Sequence, residues 1–126
     1  MTTKHFVESK RIAYLFVGVV ITAIVVGCAS PGTTRQQEPA AHYKSSKSAK
    51  EVAACIADGW ENLGLFGGHI PVHMRPTSKG YTLTVGDVRT QLLVDIIDVG
   101  ECSETTYYKN FVVGEVSFDK SVKECQ

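Results

Sequence analysis

The run Ile12 to Val26, "IAYLFVGVVITAIVV", constrains this chain more than any other stretch, because it is fifteen residues long, carries no charge and is apolar on every side. A helix in a soluble core has an apolar stripe and a polar face, and this segment has no polar face. A helix across a bilayer core needs about 20 predominantly apolar residues. Extending the run as far as Ala29 reaches only eighteen. The flank on the N-terminal side narrows the choice further: Lys4, Lys10 and Arg11 stand there against one acid, Glu8. A basic segment followed by a short apolar one is the layout of a secretory signal, and residues 1–27 are assigned to it. An uncleaved N-terminal anchor and ordinary secretion both remain open at this point.

The junction that ends the run, Val25-Val26-Gly27-Cys28, resembles the lipobox of bacterial lipoprotein precursors. In that family the cysteine thiol takes a diacylglyceryl group, a dedicated peptidase cuts just before it, and the new amine is acylated. The resemblance implies a mature chain that starts at lipidated Cys28 and is held on a membrane by its lipid. An aspartate directly after the cysteine is the family's signal for retention in the inner membrane. Ala29 stands there instead, so the resemblance implies an outer-membrane protein facing the periplasm. The remainder is similar to small envelope lipoproteins of Gram-negative bacteria, a likeness that brings no activity with it.

Residues 28–47 read as the lipidated cysteine and a flexible tether. From Ala29 to Lys47 the chain is rich in Ser, Thr, Gln, Pro and Ala, with Tyr43 its single aromatic and no aliphatic larger than alanine. Such a composition buries too little apolar surface to offset the entropy of ordering. A flexible chain of this length would hold its ends roughly 25 Å apart and lift the domain off the bilayer.

Charge selects no partner. The chain has 13 basic and 13 acidic residues, and removing the signal leaves ten against twelve. No basic run remains to track a nucleic acid backbone.

The folded domain is expected over residues 48–126, a length that supports one small core. The class is α+β: an N-terminal helix packed on an antiparallel meander of about four strands, with a short C-terminal helix. Ser48-Ala-Lys-Glu51 fits a capping box. Val52, Cys55, Ile56, Trp60 and Leu63 then give the apolar stripe of a helix from Ala49 to Leu63. Gly59 interrupts it where close packing would need a small residue, and Gly64 is a natural stop. Beyond Gly67-Gly68 the period changes from 3.6 to 2. His69 to Arg75, with Pro71 favouring an edge, Tyr81 to Val85, Leu92 to Ile97 and Thr105 to Phe111 are the expected strands, joined by links too short for parallel crossovers. Phe118, Val122 and Cys125 share one face of a closing helix.

Three cysteines remain after Cys28, in a compartment where oxidation is the default. Cys55 and Cys125 lie on apolar stripes at the two ends of the domain and are the favoured disulfide, leaving Cys102. A Cys102–Cys125 bridge is the alternative.

Catalytic chemistry is hard to find. His69 and His73, four apart on a strand, would lie about 13 Å apart and could not share an ion. Asp95 and Asp98 fall on opposite strand faces, which separates them as an acid and base pair. Ser103 and Ser117 belong to no nucleophile signature, and neither a phosphate-binding glycine loop nor a zinc spacing occurs. No cofactor and no metal is expected. Trp60 and one of Tyr107 and Tyr108 read as core, while the tyrosine on the other face is a candidate contact for a partner protein. The sequence therefore points to a non-enzymatic module that binds protein or joins an envelope assembly. The alternative is a small periplasmic enzyme or solute-binding lipoprotein.

Overall fold

The computed structural model describes residues 30–63, 69–86, 90–110 and 115–126. Its elements in chain order are α1 (Pro31–Thr34), β1 (Ala41–Ser45), α2 (Ala49–Glu61), β2 (Val72–Thr77), β3 (Gly80–Val85), β4 (Leu92–Val99), β5 (Cys102–Lys109) and α3 (Glu115–Glu124). The α+β class, the antiparallel sheet and the closing helix are as the sequence indicates.

Two features depart from expectation. The sheet has five strands rather than four, in the order β1-β5-β4-β3-β2, and α2 is not the first element of the fold. The added strand, β1, lies within the segment assigned to the tether, as does α1. β1 has the sequence AHYKS, with no aliphatic period to announce it. It is ordered by its backbone, which pairs with β5 from Ala41 opposite Tyr107 to Ser45 opposite Ser103, and by Ala41 and Tyr43, which pack against the core. Hydrogen bonding to an existing edge does not depend on side-chain apolarity, so composition could not reveal it.

Strands β2 to β5 form the expected meander, each antiparallel to the next. The turn from β4 to β5 is Gly100-Glu101, and Gly100 adopts φ +67°, the left-handed region that tight hairpins require. At the β2–β3 corner, a Cβ on Gly80 would run into the carbonyl oxygen of Ile96 on β4. Pro76 lies within β2 and is tolerated because β2 is an edge.

α2 starts at the predicted cap. The Ser48 hydroxyl accepts the Glu51 amide, and the Glu51 carboxylate accepts the Ser48 amide at 2.9 Å. These hydrogen bonds from Ser48 hold the Glu51 carboxyl below its ordinary pKa. Asp98 of β4 adds a second anchor, accepting the Ala49 amide at 2.8 Å, a carboxylate at the positive end of a helix. The helix ends at Glu61, with Asn62 as its cap. Gly64, the Gly67-Gly68 break and Phe111 lie outside the described residues.

The core forms between the helices and one sheet face. Val52, Ala53, Ile56 and Trp60 of α2 meet Leu83, Leu92, Val94, Ile96 and Tyr107, and Phe118 and Val122 of α3 complete it. Trp60 lies at its centre, edge-on to Phe118 at 5.8 Å and tilted against Tyr107 at 6.2 Å. Its indole N–H donates to the Phe118 carbonyl at 3.2 Å, so burial leaves no polar atom of the ring unpaired. Gly59 serves the close approach of α2 and α3: a Cβ there would stand 3.1 Å from the Ser121 hydroxyl. Cys55 and Cys125 form a disulfide across a separation of 70 residues, which joins the two helices as the stripes indicated.

Candidate functional site

Strand alternation gives the sheet a second, outer face. The register puts His73 and Thr84 beside Leu93 and Tyr108, then Arg75 and Thr82 beside Asp95, Thr106 and His42, then Ile97 beside Glu104 and Lys44. A sheet face turned to water is expected to be polar throughout. Here Leu93 is fully buried and Thr82 nearly so.

Residues 30–40 run over this side of the sheet as a strap. Ser30 caps α1, with Pro31 at its first turn, and Ser30 and Thr33 exchange hydrogen bonds. Thr34 is buried. Arg35 then reaches Asp95 with two bonds, Nε to Oδ2 at 2.6 Å and Nη2 to Oδ1 at 2.7 Å. Thr82 completes the group, accepting from Arg35 at 3.1 Å while donating to Asp95 at 2.6 Å. Burial works against the charged Asp95, but the bonds from Arg35 and Thr82 and the Arg35 charge outweigh it, so the carboxyl titrates below its ordinary range. The hydrogen bond to Asp95 raises Arg35 in turn. The strap ends where the Ala40 amide donates to the Tyr107 carbonyl at 2.8 Å, and β1 follows.

The segment read as a flexible tether is therefore part of the fold from Ser30 onward. The signal for it was Ser30-Pro31, a capping residue followed by proline at the first helical position. The partner, Asp95, lies 60 residues away and has no local signature.

The other anticipated residues separate. Cys28 and residues 1–27 lie outside the described residues. Cys55 and Cys125 are joined, and Cys102 is an exposed free thiol at the start of β5. Tyr107 is buried against Trp60, which removes it as a partner contact; strand parity directs it to the helices. Tyr108 lies on the outer face, half-buried. Asp95 and Asp98 take opposite faces, one on Arg35 and the other on the α2 amide. His69 precedes β2, and His73 is exposed on β2.

Among the described residues, no three His, Cys, Asp or Glu side chains gather as a metal site. The concavities are shallow. One, of about 440 Å³, follows the β2–β3 corner from Pro76 to Tyr81 and reaches Asp98. Another, of about 330 Å³, lies over β1 and β5 between His42, Lys44, Ile97 and Glu104. A third, of about 150 Å³, opens between Pro31 of the strap and His73, Arg75, Thr82 and Thr84. In the second, the Thr106 hydroxyl stands 3.3 Å from His42 Nδ1, an exposed hydroxyl–imidazole pair whose neighbours on this face are Lys44 and Glu104. The first is mainly polar, the second mixed, and the third mainly apolar in lining with Arg75 and His73 beside it. Among the described residues, no helix is long and apolar enough to cross a membrane. Compared with known proteins, the chain matches no protein-family model, no curated protein and no solved structure.

Proposed function

We propose that the chain is a lipid-anchored envelope protein, attached through Cys28 to the outer membrane and facing the periplasm, which acts without catalysis by binding a protein partner or joining an envelope assembly. The observation that carries this reading is the basic segment, the short apolar run and Val25-Val26-Gly27-Cys28 in direct succession. The Cys55–Cys125 disulfide supports export, because such bridges persist in oxidising compartments. The outer sheet face supports a contact role over a catalytic one. Its β1, β5 and β4 side presents Ile97 and Val99, both exposed, beside His42, Lys44 and Glu104, with Tyr108 two register rows further along β5.

Replacing Cys28→Ser tests the anchor. The variant should incorporate no labelled fatty acid and should keep its signal, while the wild-type chain carries lipid and begins at Cys28 by intact mass. An unmodified wild-type cysteine overturns the anchor. For the contact role, Ile97→Asp with Tyr108→Ala should abolish capture of a partner that the wild-type protein holds in detergent-solubilised envelopes, with unchanged circular dichroism. Undiminished capture shows that the contact lies elsewhere.

A further inference from the structure

The ordered strap changes what a lipid on Cys28 would do. Between Cys28 and the cap residue Ser30 stands only Ala29. Consecutive Cα atoms are 3.8 Å apart, so Cys28 and Ser30 are separated by at most about 7 Å whatever the conformation between them. No spacer is left. Ser30 is tied into α1, Thr34 is buried, and Arg35 is fixed on Asp95. An anchor at Cys28 would therefore pull the bilayer to the Pro31 end of the strap rather than hold the domain away from it.

That end of the strap adjoins a cation. Pro31 lines the cleft shared with His73, Arg75, Thr82 and Thr84. Arg75 is exposed on an edge strand and has no acidic partner among the described residues. A guanidinium in this position offers a planar set of donors suited to phosphate oxygens. The threonine hydroxyls of the cleft are neutral, and among the described residues the acid facing this part of the sheet, Asp95, is already neutralised by Arg35.

Resting on the lipid-anchor reading, we propose that the outer side of β2 and β3 beside Pro31 lies directly on the membrane surface, with Arg75 taking the phosphate of a lipid headgroup. The domain then has a fixed orientation: the cleft at the β2 edge is turned to the bilayer, while the β1 edge, at the other end of the sheet, and the α2 and α3 layer stand away from it. The site requires no bound ligand to form, because the strap sets the distance and Arg75 supplies the charge.

The test uses the full chain, processed in the cell and purified in detergent. Intact mass establishes the lipid on Cys28, and a chain without it overturns both the anchor and this orientation. Lipidated protein carrying Cys102→Ser and either His73→Cys or Lys50→Cys is labelled with a fluorophore. It is then reconstituted into vesicles of phosphatidylethanolamine and phosphatidylglycerol containing a nitroxide on the lipid headgroup. Quenching should be severalfold stronger at position 73 than at position 50, on α2. Equal quenching in a chain whose lipid is confirmed overturns the orientation and leaves the anchor standing. Adding Arg75→Ser should weaken quenching at position 73, and raised salt should weaken it for the Arg75 protein but not for the variant. Quenching that ignores both Arg75 and salt overturns the phosphate contact.

Discussion

Arg35 and Asp95 show how one pair of side chains decides whether a polar segment is a linker or part of a domain. Two charge-assisted bonds on a partly exposed pair contribute about 1–2 kcal/mol after allowance for solvent screening, comparable to the cost of fixing one residue's backbone. The pair therefore acts together with the Thr34 burial and the α1 cap. Asp95→Asn should leave the core melting transition nearly unchanged while hydrogen exchange at the Thr34 to Gln37 amides accelerates. Exchange as slow as in the parent would show that the pair does not hold the strap. The pH dependence has a definite sign. Because folding lowers the Asp95 pKa, its contribution is complete above the ordinary aspartate value near 4 and is lost as pH falls through the lower folded value. Strap amides should thus gain exchange in acid before the core does. Gly59 makes a second prediction at this scale. A valine there would drive its branches into Ser121 and part the two helices, a loss of about 1–3 kcal/mol measured by denaturant unfolding.

Among the elements, α3 is the one that most needs fastening. It is ten residues long, too short to be stable by itself in water. Three kinds of contact fix it: Phe118 and Val122 in the core, Lys109 Nζ on the Asp119 carboxylate at 2.9 Å, and the disulfide to α2. Lys47 closes the end by donating to the Cys125 and Gln126 carbonyls at 2.9 and 3.2 Å. The bridge closes a loop of 70 residues, for which chain entropy gives on the order of 4 kcal/mol. Cys55→Ser or Cys125→Ser should lower Tm by about ten degrees or more in a domain of this size. Cys102→Ser should change it little, since that thiol is exposed and unbridged. Non-reducing peptide mapping of the parent supplies the independent check: a fragment containing Cys102 linked to either other cysteine contradicts the assignment.

At the scale of the whole molecule, the order of the strands matters more than their number. β1 and β2 are the two edges, and α2 connects them across three intervening strands, so the helix layer covers one face of the sheet from edge to edge. The first and last segments of the domain are both tied to β5 or its neighbours, β1 by its ladder and Gln126 by accepting from Thr105 at 2.9 Å. A chain lacking residues 30–45 would expose the β5 edge and remove Arg35 from Thr82 and Asp95 on the outer face. Such a truncation should remain helical by circular dichroism but self-associate at concentrations where the parent is monodisperse in sedimentation, as exposed strand edges do. A truncated domain as soluble as the parent would mean that the strap and β1 do not protect the sheet.

What residues 48–126 reveal by themselves follows from local periodicity. The Ser48 cap, the α2 stripe, the alternation of Tyr81 to Val85 and the face shared by Phe118, Val122 and Cys125 each reflect a side-chain spacing of 3.6 or 2, and each is visible without knowledge of any distant residue. The disulfide was legible for the same reason, since two stripes packed on one sheet face bring their cysteines together. The marks of β1 and the strap were weak, a short alternation of Ala41 and Tyr43 with His42 and Lys44 and the Ser30-Pro31 cap, and the Arg35–Asp95 pair had none. β1 is held by backbone bonds to a strand about 60 positions away, and Arg35 finds its carboxylate only after β3 and β4 have paired. Local sequence encodes which face of an element is apolar. The tertiary structure alone decides which polar segments find a partner, because the free energy that orders them comes from groups the fold brings together.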